Sequence, residues 1–230
     1  WYIQDALCSG SQGEKKTQDT DFHYLLDEFA DLKVIRFRVP GWDNLSLRQK
    51  EYAYHLSEAA KLGRDITWDQ YCKWNLPIRH VVEDILNEYE GDRECADFQN
   101  FTVYAKRLFF ANGIHHHYSE DKFFPECPKE YFQSLMEAVG DGEQATELLE
   151  VIYSPDIYPQ RRSTSKTGDI VELSAVNFYD GVTREEVDKY YNSMMDPNDK
   201  TPISYGLNTK VVKEDGKVVE KPWKVGGIYG

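Results

Sequence analysis

The amino-acid sequence predicts an α+β fold: a predominantly helical lobe with a small β-sheet or barrel-like element and a carboxyl-terminal β-hairpin. Between residues 46 and 153, apolar residues recur at helical spacing, and capping residues and Gly or Pro stops separate the repeats. Strand-forming residues concentrate near the carboxyl end. We therefore expect a mainly helical part over residues 21–158 and an α+β part over residues 159–230.

The amino-terminal region contains a leader and two short elements. Residues 1–20 are mostly polar and predict a flexible leader. Phe22, Leu25, Leu26 and Phe29 follow the spacing of one helix face, which predicts a short helix. The segment 35–39 alternates apolar residues with arginines and predicts a strand that ends at Pro40-Gly41.

Two capping boxes predict the next helices. Ser46 and Gln49 open a helix that ends at Gly63, and its inward residues are expected to be Ala53, Leu56 and Ala60. Thr67 and Gln70 repeat the pattern and introduce an apolar series over residues 71–89. Because Pro77 interrupts this series, the segment is either one kinked helix or two consecutive helices.

Three further helices follow in the first part of the chain. We expect Asp97 to cap a helix that ends at Asn112-Gly113. Pro128 starts the next helix, which stops at Gly140, and another runs from about residue 143 to 152. In the second part, residues 170–179 are rich in strand formers, and Thr183 with Glu186 caps a helix. Finally, Asp215-Gly216 between two valine-containing runs predicts a type I′ hairpin.

The charge of the chain excludes some partners. Forty acidic residues against 27 basic ones give a formal charge of −13, which repels phosphate backbones, so we expect no nucleic-acid partner. The same charge attracts cations such as a peptide amino terminus. No run approaches the roughly 18 apolar residues of a membrane span. Cysteines without a metal or disulfide pattern favour the cytoplasm. Cys8 and its polar spacer resemble a lipidated cysteine, and the alternative is therefore a periplasmic or lipid-anchored protein of the cell envelope.

No complete catalytic constellation is present in the sequence. His115-His116-His117 suggests a metal loop, but neighbouring residues on an extended chain point to opposite faces, so only His115 and His117 can converge. Hydrogen bonds from the imidazoles to backbone or carboxylates are the simpler interpretation. The motifs H-E-x-x-H, G-x-S-x-G, G-x-G-x-x-G and the P-loop are absent from these 230 residues.

Three segments resemble the dipeptidyl-peptidase III family of zinc metallopeptidases, and its bacterial branch most. The main one, residues 104–125, reads YAKRLFFANGIHHHYSEDKFFP and contains the family's N-G, its following aromatic and acidic residues, and K-F-x-P. Residues 52–66 resemble the preceding family helix, and residues 205–229 resemble a later hairpin region. The segments occur in the same order as in the family, and the resemblance extends from about residue 21 to the end.

The resemblance implies a two-lobed zinc exopeptidase that releases dipeptides from peptide amino termini. In the family, the zinc ligands come from H-E-x-x-G-H and E-E-C motifs of the other lobe, and neither motif occurs here. We therefore expect the amino-terminal, peptide-binding and non-catalytic portion of such an enzyme. No catalytic or metal residue is then expected in this chain, and its partners are short peptides and the catalytic lobe. The alternatives are a stand-alone binding or regulatory module and a helical scaffold with a histidine metal loop.

The resemblance also implies which residues contact a peptide. Tyr118 corresponds to the family's aromatic residue at a peptide-facing position, and Asn112 is expected to hydrogen-bond the peptide backbone. Lys122 and Phe123 are expected to shape the same loop. The structural alternative is that Asn112-Gly113 is only a helix stop and Phe123 only a core residue.

Overall fold

The computed structural model describes residues 22–200 and 208–223, so the predicted leader over residues 1–20 lies outside the described residues. The chain divides into two compact units, one up to Gly41 and one from Trp42 onward. Helices dominate the described residues, and strands form two small sheets. The α+β fold class is therefore confirmed. None of the helices in the described ranges is long and apolar enough to cross a membrane.

The described part of the first unit contains a β-hairpin. Strands β1 (Leu25–Phe29) and β2 (Leu32–Ile35) pair antiparallel. The helix predicted from Phe22 to Phe29 is therefore wrong, and the predicted strand over 35–39 begins earlier and ends at Ile35. Ala30 takes a positive φ of 48°, which forms a tight turn and lets Phe29 pair with Leu32. Pairing between strands has overridden the helical spacing of the apolar residues.

The second unit begins with three helices. Helix α1 (Leu47–Leu62) has the predicted capping box at Ser46, but its expected inward residues Ala53, Leu56 and Ala60 are not buried. Helix α2 (Arg64–Tyr71) starts before Thr67, so the second predicted capping box is wrong. Helix α3 (Asn75–Glu88) contains Pro77 in its first turn, where a backbone N–H has no helical partner. The interrupted series is therefore two consecutive helices.

Helices α4 (Ala96–Ala111), α5 (Lys129–Ala138) and α6 (Gly142–Tyr153) pack with α2 and α3 around the main core. Cys95 rather than Asp97 holds the N-cap position of α4, so the predicted Asp97 cap is wrong. The predicted stops at Asn112-Gly113 and Gly140 are confirmed by the ends of α4 and α5. The largest fully buried side chains come from these helices and from the loop after α4: Ile78, Ile85, Phe101, Tyr104, Leu108, Ile114, Phe132, Leu135 and Met136.

The carboxyl-terminal part combines two helices with a three-stranded sheet. Helix α7 (Ile170–Leu173) replaces the first four residues of the strand predicted over 170–179, because the Asp169 side chain accepts the Val171 N–H and caps a helical turn. Strand β3 (Tyr179–Asp180) pairs parallel with β4 (Thr209–Glu214), and β4 pairs antiparallel with β5 (Lys217–Pro222). Helix α8 (Arg184–Met194) has the predicted capping box. The predicted Asp215-Gly216 turn is confirmed by positive φ angles of 49° and 76°.

Candidate functional site

The loop that resembles the peptidase family begins where α4 ends. Asn112 takes the left-handed conformation, with φ of 55°, and Gly113 follows with φ of 149°. The buried Asn75 side chain joins this loop to α2: its Nδ2 donates to the Trp68 carbonyl at 3.0 Å, and its Oδ1 accepts the Ile114 N–H at 3.2 Å. The Asn112 carbonyl also lies 3.5 Å from Asn75 Nδ2. Asn112 therefore forms the helix stop, and a buried amide fixes the direction of the loop.

His115, the first of the three histidines, is buried within the loop. Burial lowers its pKa to about 4, so the ring is neutral at physiological pH. Its Nε2 lies 2.9 Å from the Tyr158 carbonyl, which assigns the ring proton to Nε2 as the donor. Nδ1 is then an acceptor, and it has no hydrogen-bond partner among the described residues. The imidazole ties the loop to the segment that follows α6.

The other two histidines point elsewhere. His116 Nδ1 accepts the backbone N–H groups of Tyr118 and Ser119 at 3.2 and 3.1 Å, which closes a turn. The His117 ring packs edge-on against Phe110, with 5.1 Å between ring centres. Within residues 22–200 and 208–223, no three His, Cys, Asp or Glu side chains converge as metal ligands. The three imidazoles therefore make separate contacts: His115 with Tyr158, His116 with the turn and His117 with Phe110.

A salt-bridge network follows the turn. Glu120 accepts hydrogen bonds from Arg161 Nη2 at 2.7 Å and from Arg162 Nε at 2.8 Å. Those hydrogen bonds and charges hold the pKa of Glu120 at about 2. The Arg161 guanidinium also lies 4.3 Å from the centre of the Tyr71 ring. The network therefore fixes the loop against residues 158–162.

Lys122 is buried and caps the end of α6. Its Nζ donates to the carbonyls of Val151, Ser154 and Ile157 at 2.8, 2.5 and 2.5 Å. The last carbonyls of a helix have no partner within the helix, and an ammonium ion there also interacts favourably with the helix dipole. Burial lowers the pKa of Lys122 to about 8. The side chain fixes the path of the chain from α6 to Ile157.

Among the four predicted binding residues, only Tyr118 has a largely exposed side chain, at 77%. Phe123 is a core residue that meets Tyr104 edge-on at 5.6 Å between ring centres, with the Arg107 guanidinium 4.5 Å from its own centre. Asn112 and Lys122 have the structural contacts described above. The structure therefore brings the four residues into one loop but exposes a single side chain to a ligand.

Two cavities lie beside Tyr158, in the segment that His115 and Lys122 hold in place. The polar cavity has a volume of about 660 Å³, and its wall carries three lysines and four acidic side chains together with Asn177 and Tyr179. The apolar groove has a volume of about 540 Å³ and lies beside helix α6; it is lined by Trp74, Val151, Ile157, Tyr158 and the carboxylates of Glu143, Glu147 and Glu150. Lys73 and Tyr158 belong to both linings, so the two cavities adjoin.

The linings show what these cavities are able to do. Neither contains a His or Cys residue from the described part of the chain, so no histidine base or thiol nucleophile faces a ligand there. Aromatic and aliphatic walls next to charged groups of both signs suit binding of an amphipathic polar molecule. Pockets of about 300–1,000 Å³ are of the size that holds small ligands and short peptides.

Sequence reasoning missed the residues that build the cavities. Lys73, Tyr158 and Asn177 are far apart in the chain, and each has an ordinary sequence context. Tyr158 has one local feature: it lies between Ile157 and Pro159 and takes a positive φ of 50°. No sequence motif indicates this conformation. The tertiary contacts of His115 and Lys122 help to bring it into place.

Comparisons with known proteins do not identify a family. No protein-family model matches the chain, and no curated protein matches it significantly.

Proposed function

We propose that this chain is the amino-terminal, peptide-binding and non-catalytic portion of a zinc exopeptidase of the dipeptidyl-peptidase III type. The observation that carries the proposal is the pair of adjoining cavities that meet at Lys73 and Tyr158. Their walls contain binding groups but neither His nor Cys from the described residues. The sequence resemblance over residues 104–125 supplies the enzyme class.

The composition of the walls supports a peptide as the ligand. A peptide alternates apolar side chains with backbone donors and acceptors, and it carries charged termini. The apolar groove offers the Trp74 and Tyr158 rings, and the polar cavity offers charged and amide groups. Glu143 and Glu147 lie one helical turn apart on α6 beside the groove, and the net charge of −13 favours approach of a cationic amino terminus.

The loop of the resemblance then has a supporting role. Lys122 fixes the carbonyl of Ile157, and His115 fixes the carbonyl of Tyr158. A binding side chain needs such rigid support to hold its geometry. Tyr118, at the exposed turn of the same loop, is proposed as an additional peptide contact in the assembled enzyme.

The zinc of the proposed enzyme does not fit the described residues. His115 uses Nε2 for the Tyr158 carbonyl, and His116 uses Nδ1 for two backbone N–H groups. We propose that zinc and its ligands belong to the catalytic lobe, which is the partner of this chain besides short peptides. For the location we propose the cytoplasm, with the cell envelope as the alternative that Cys8 suggests.

Calorimetric titration with tetra-alanine tests peptide binding by the chain. We expect saturable binding at one site, and Tyr158→Ala should weaken it about ten-fold because a large contact surface is lost. Tyr54→Ala is the matched control, because Tyr54 lies exposed on α1 outside both cavities. Absence of saturable heat, or equal effects of the two substitutions, would contradict the proposal.

Two further observations test the enzyme class. The chain alone should release no dipeptide from a dipeptide-naphthylamide substrate in the presence of added zinc, and turnover that survives repurification would contradict the non-catalytic role. The encoding gene should continue into an H-E-x-x-G-H motif. A gene without that motif would favour the stand-alone binding module.

A further inference from the structure

Asn177 lies in the wall of the polar cavity. Its side-chain nitrogen has a hydrogen-bond partner, and its side-chain oxygen has none among the described residues. The residue is only 7% exposed. Its Nδ2 donates to Asp69 Oδ1 at 3.1 Å, and its backbone N–H donates to the Gln70 carbonyl at 2.9 Å. These contacts hold the residue against helix α2. The side-chain oxygen Oδ1 has no donor among the described residues.

The Asp69 carboxylate fixes which way the Asn177 amide faces. An ionised carboxylate only accepts hydrogen bonds, so the NH₂ group must point to Asp69 and the oxygen must point away from it. A hydrogen bond to a charged acceptor also polarises the amide, which makes its oxygen a better acceptor. The side chain is therefore set to accept a hydrogen bond.

Asn177 lines the polar cavity, so a ligand bound there is placed to supply a donor for this oxygen. A ligand N–H that reaches this oxygen replaces its hydrogen bond to solvent, whereas a ligand group without a donor loses that hydrogen bond. A fully deprotonated anionic group is disfavoured at this point, because it has no donor and is repelled by the oxygen. The wall itself carries four acidic side chains and three lysines, so it offers charges of both signs to a ligand.

We propose that Asn177 Oδ1 accepts a hydrogen bond from a backbone N–H of the bound peptide and so fixes the position of that peptide in the polar cavity. The inference rests on the proposed peptide-binding function and names a specific contact of the same site. Asn177 is thereby a ligand-binding residue, and Asp69 is the residue that positions it.

The test compares tetra-alanine with a series of tetra-alanines that are N-methylated at one amide each. Titrations use the full 230-residue chain and its Asn177→Ala variant. We expect Asn177→Ala to weaken binding of tetra-alanine about three- to ten-fold, the effect of one hydrogen bond. Methylation at one position should weaken binding to the unaltered chain by a similar factor and should have no effect on the variant.

Asp69→Asn is the matched structural control. It removes the negative charge next to the Asn177 amide but leaves Asn177 and its Oδ1 atom in place. It should therefore weaken tetra-alanine binding less than Asn177→Ala does. If Asn177→Ala does not fold, Asn177→Ser replaces it, because the serine hydroxyl is too short to reach the same position.

The outcomes separate this inference from the function on which it rests. If the unaltered chain does not bind tetra-alanine, the proposed function fails. If that chain binds but the folded variant binds equally well, Asn177 is not a contact and the inference is overturned while the function stands. The inference is also overturned if N-methylation affects the variant and the unaltered chain alike.

Discussion

The Asn75 side chain approaches Gly113 so closely that a Cβ atom at position 113 would lie 2.2 Å from the Asn75 amide nitrogen. This amide joins the end of α2 to the loop after α4 through the Trp68 carbonyl and the Ile114 N–H. The loop therefore leaves α4 through a backbone conformation that is available because Gly113 has no Cβ atom. That direction leads to His115 and Lys122, which support Tyr158.

Gly113→Ala should strongly destabilise the protein. The new methyl group would collide with Asn75, and the φ of 149° is unfavourable for a residue with a Cβ atom. We expect the free energy of unfolding to fall by roughly 2–4 kcal/mol, measured by urea denaturation. Gly181→Ala is the control: its φ is also positive, at 65°, but no atom lies within 4 Å of the added Cβ. Equal losses for the two variants would show that the contact with Asn75 has no role.

Lys122→Met should also destabilise the fold, because it leaves three carbonyl groups near the end of α6 without their donor. We expect a loss of roughly 2–4 kcal/mol in the free energy of unfolding. Lys129→Met removes a lysine of the same neighbourhood that forms an exposed ion pair with Glu150, and it should cost less than about 0.5 kcal/mol. Similar losses from both substitutions would contradict the capping role.

Glu120 should make stability depend on pH in the acidic range. Its pKa is lowered from an ordinary 4.5 to about 2 by hydrogen bonds from Arg162 and Arg161. A depressed carboxyl pKa adds stability that is fully present above pH 4.5 and is lost as the pH falls towards 2. In Glu120→Gln, the acid-dependent loss of unfolding free energy should be smaller by roughly 1–2 kcal/mol. This value is below the equivalent of the full pKa shift, because Arg162 is exposed. The free energy of unfolding is measured from pH 6 to pH 2 for the unaltered protein and for Glu120→Gln. An equal fall in both proteins would contradict the assignment.

Tyr118→Ala separates packing from peptide contact. Because the side chain is 77% exposed, we expect a change in unfolding free energy below about 0.5 kcal/mol. In the proposed complete enzyme, a lost peptide contact should lower kcat/KM about ten- to two-hundred-fold. Melting temperature and kinetics are measured on one preparation. A large drop in melting temperature with unchanged kinetics would assign Tyr118 to packing.

Local signals explain which elements the sequence predicts. The capping boxes at Ser46 and Thr183 and the Asp215-Gly216 turn depend on residues within a few positions of one another, and the structure confirms all three. The apolar spacing from Phe22 to Phe29 is equally local, yet pairing with a second strand makes this segment a hairpin. Local patterns predict an element only where tertiary contacts agree with them.

The candidate site depends on contacts that local patterns do not contain. The sequence predicts Lys122 as a residue that shapes the peptide-binding loop, but it binds carbonyl groups about 30 positions later in the chain. Asn177 binds Asp69 across 108 positions. The sequence resemblance draws attention to the loop, whereas the cavities require the folded arrangement of distant residues.

The most direct test of peptide binding at the two cavities is a titration of the isotopically labelled chain with tetra-alanine, followed by amide chemical shifts in nuclear magnetic resonance spectra. The account predicts that the largest shifts occur at Lys73, Tyr158 and Asn177, and that the amides of α1 remain unchanged. Shifts confined to α1 or to the β1–β2 hairpin, or no shifts at saturating peptide, would contradict it.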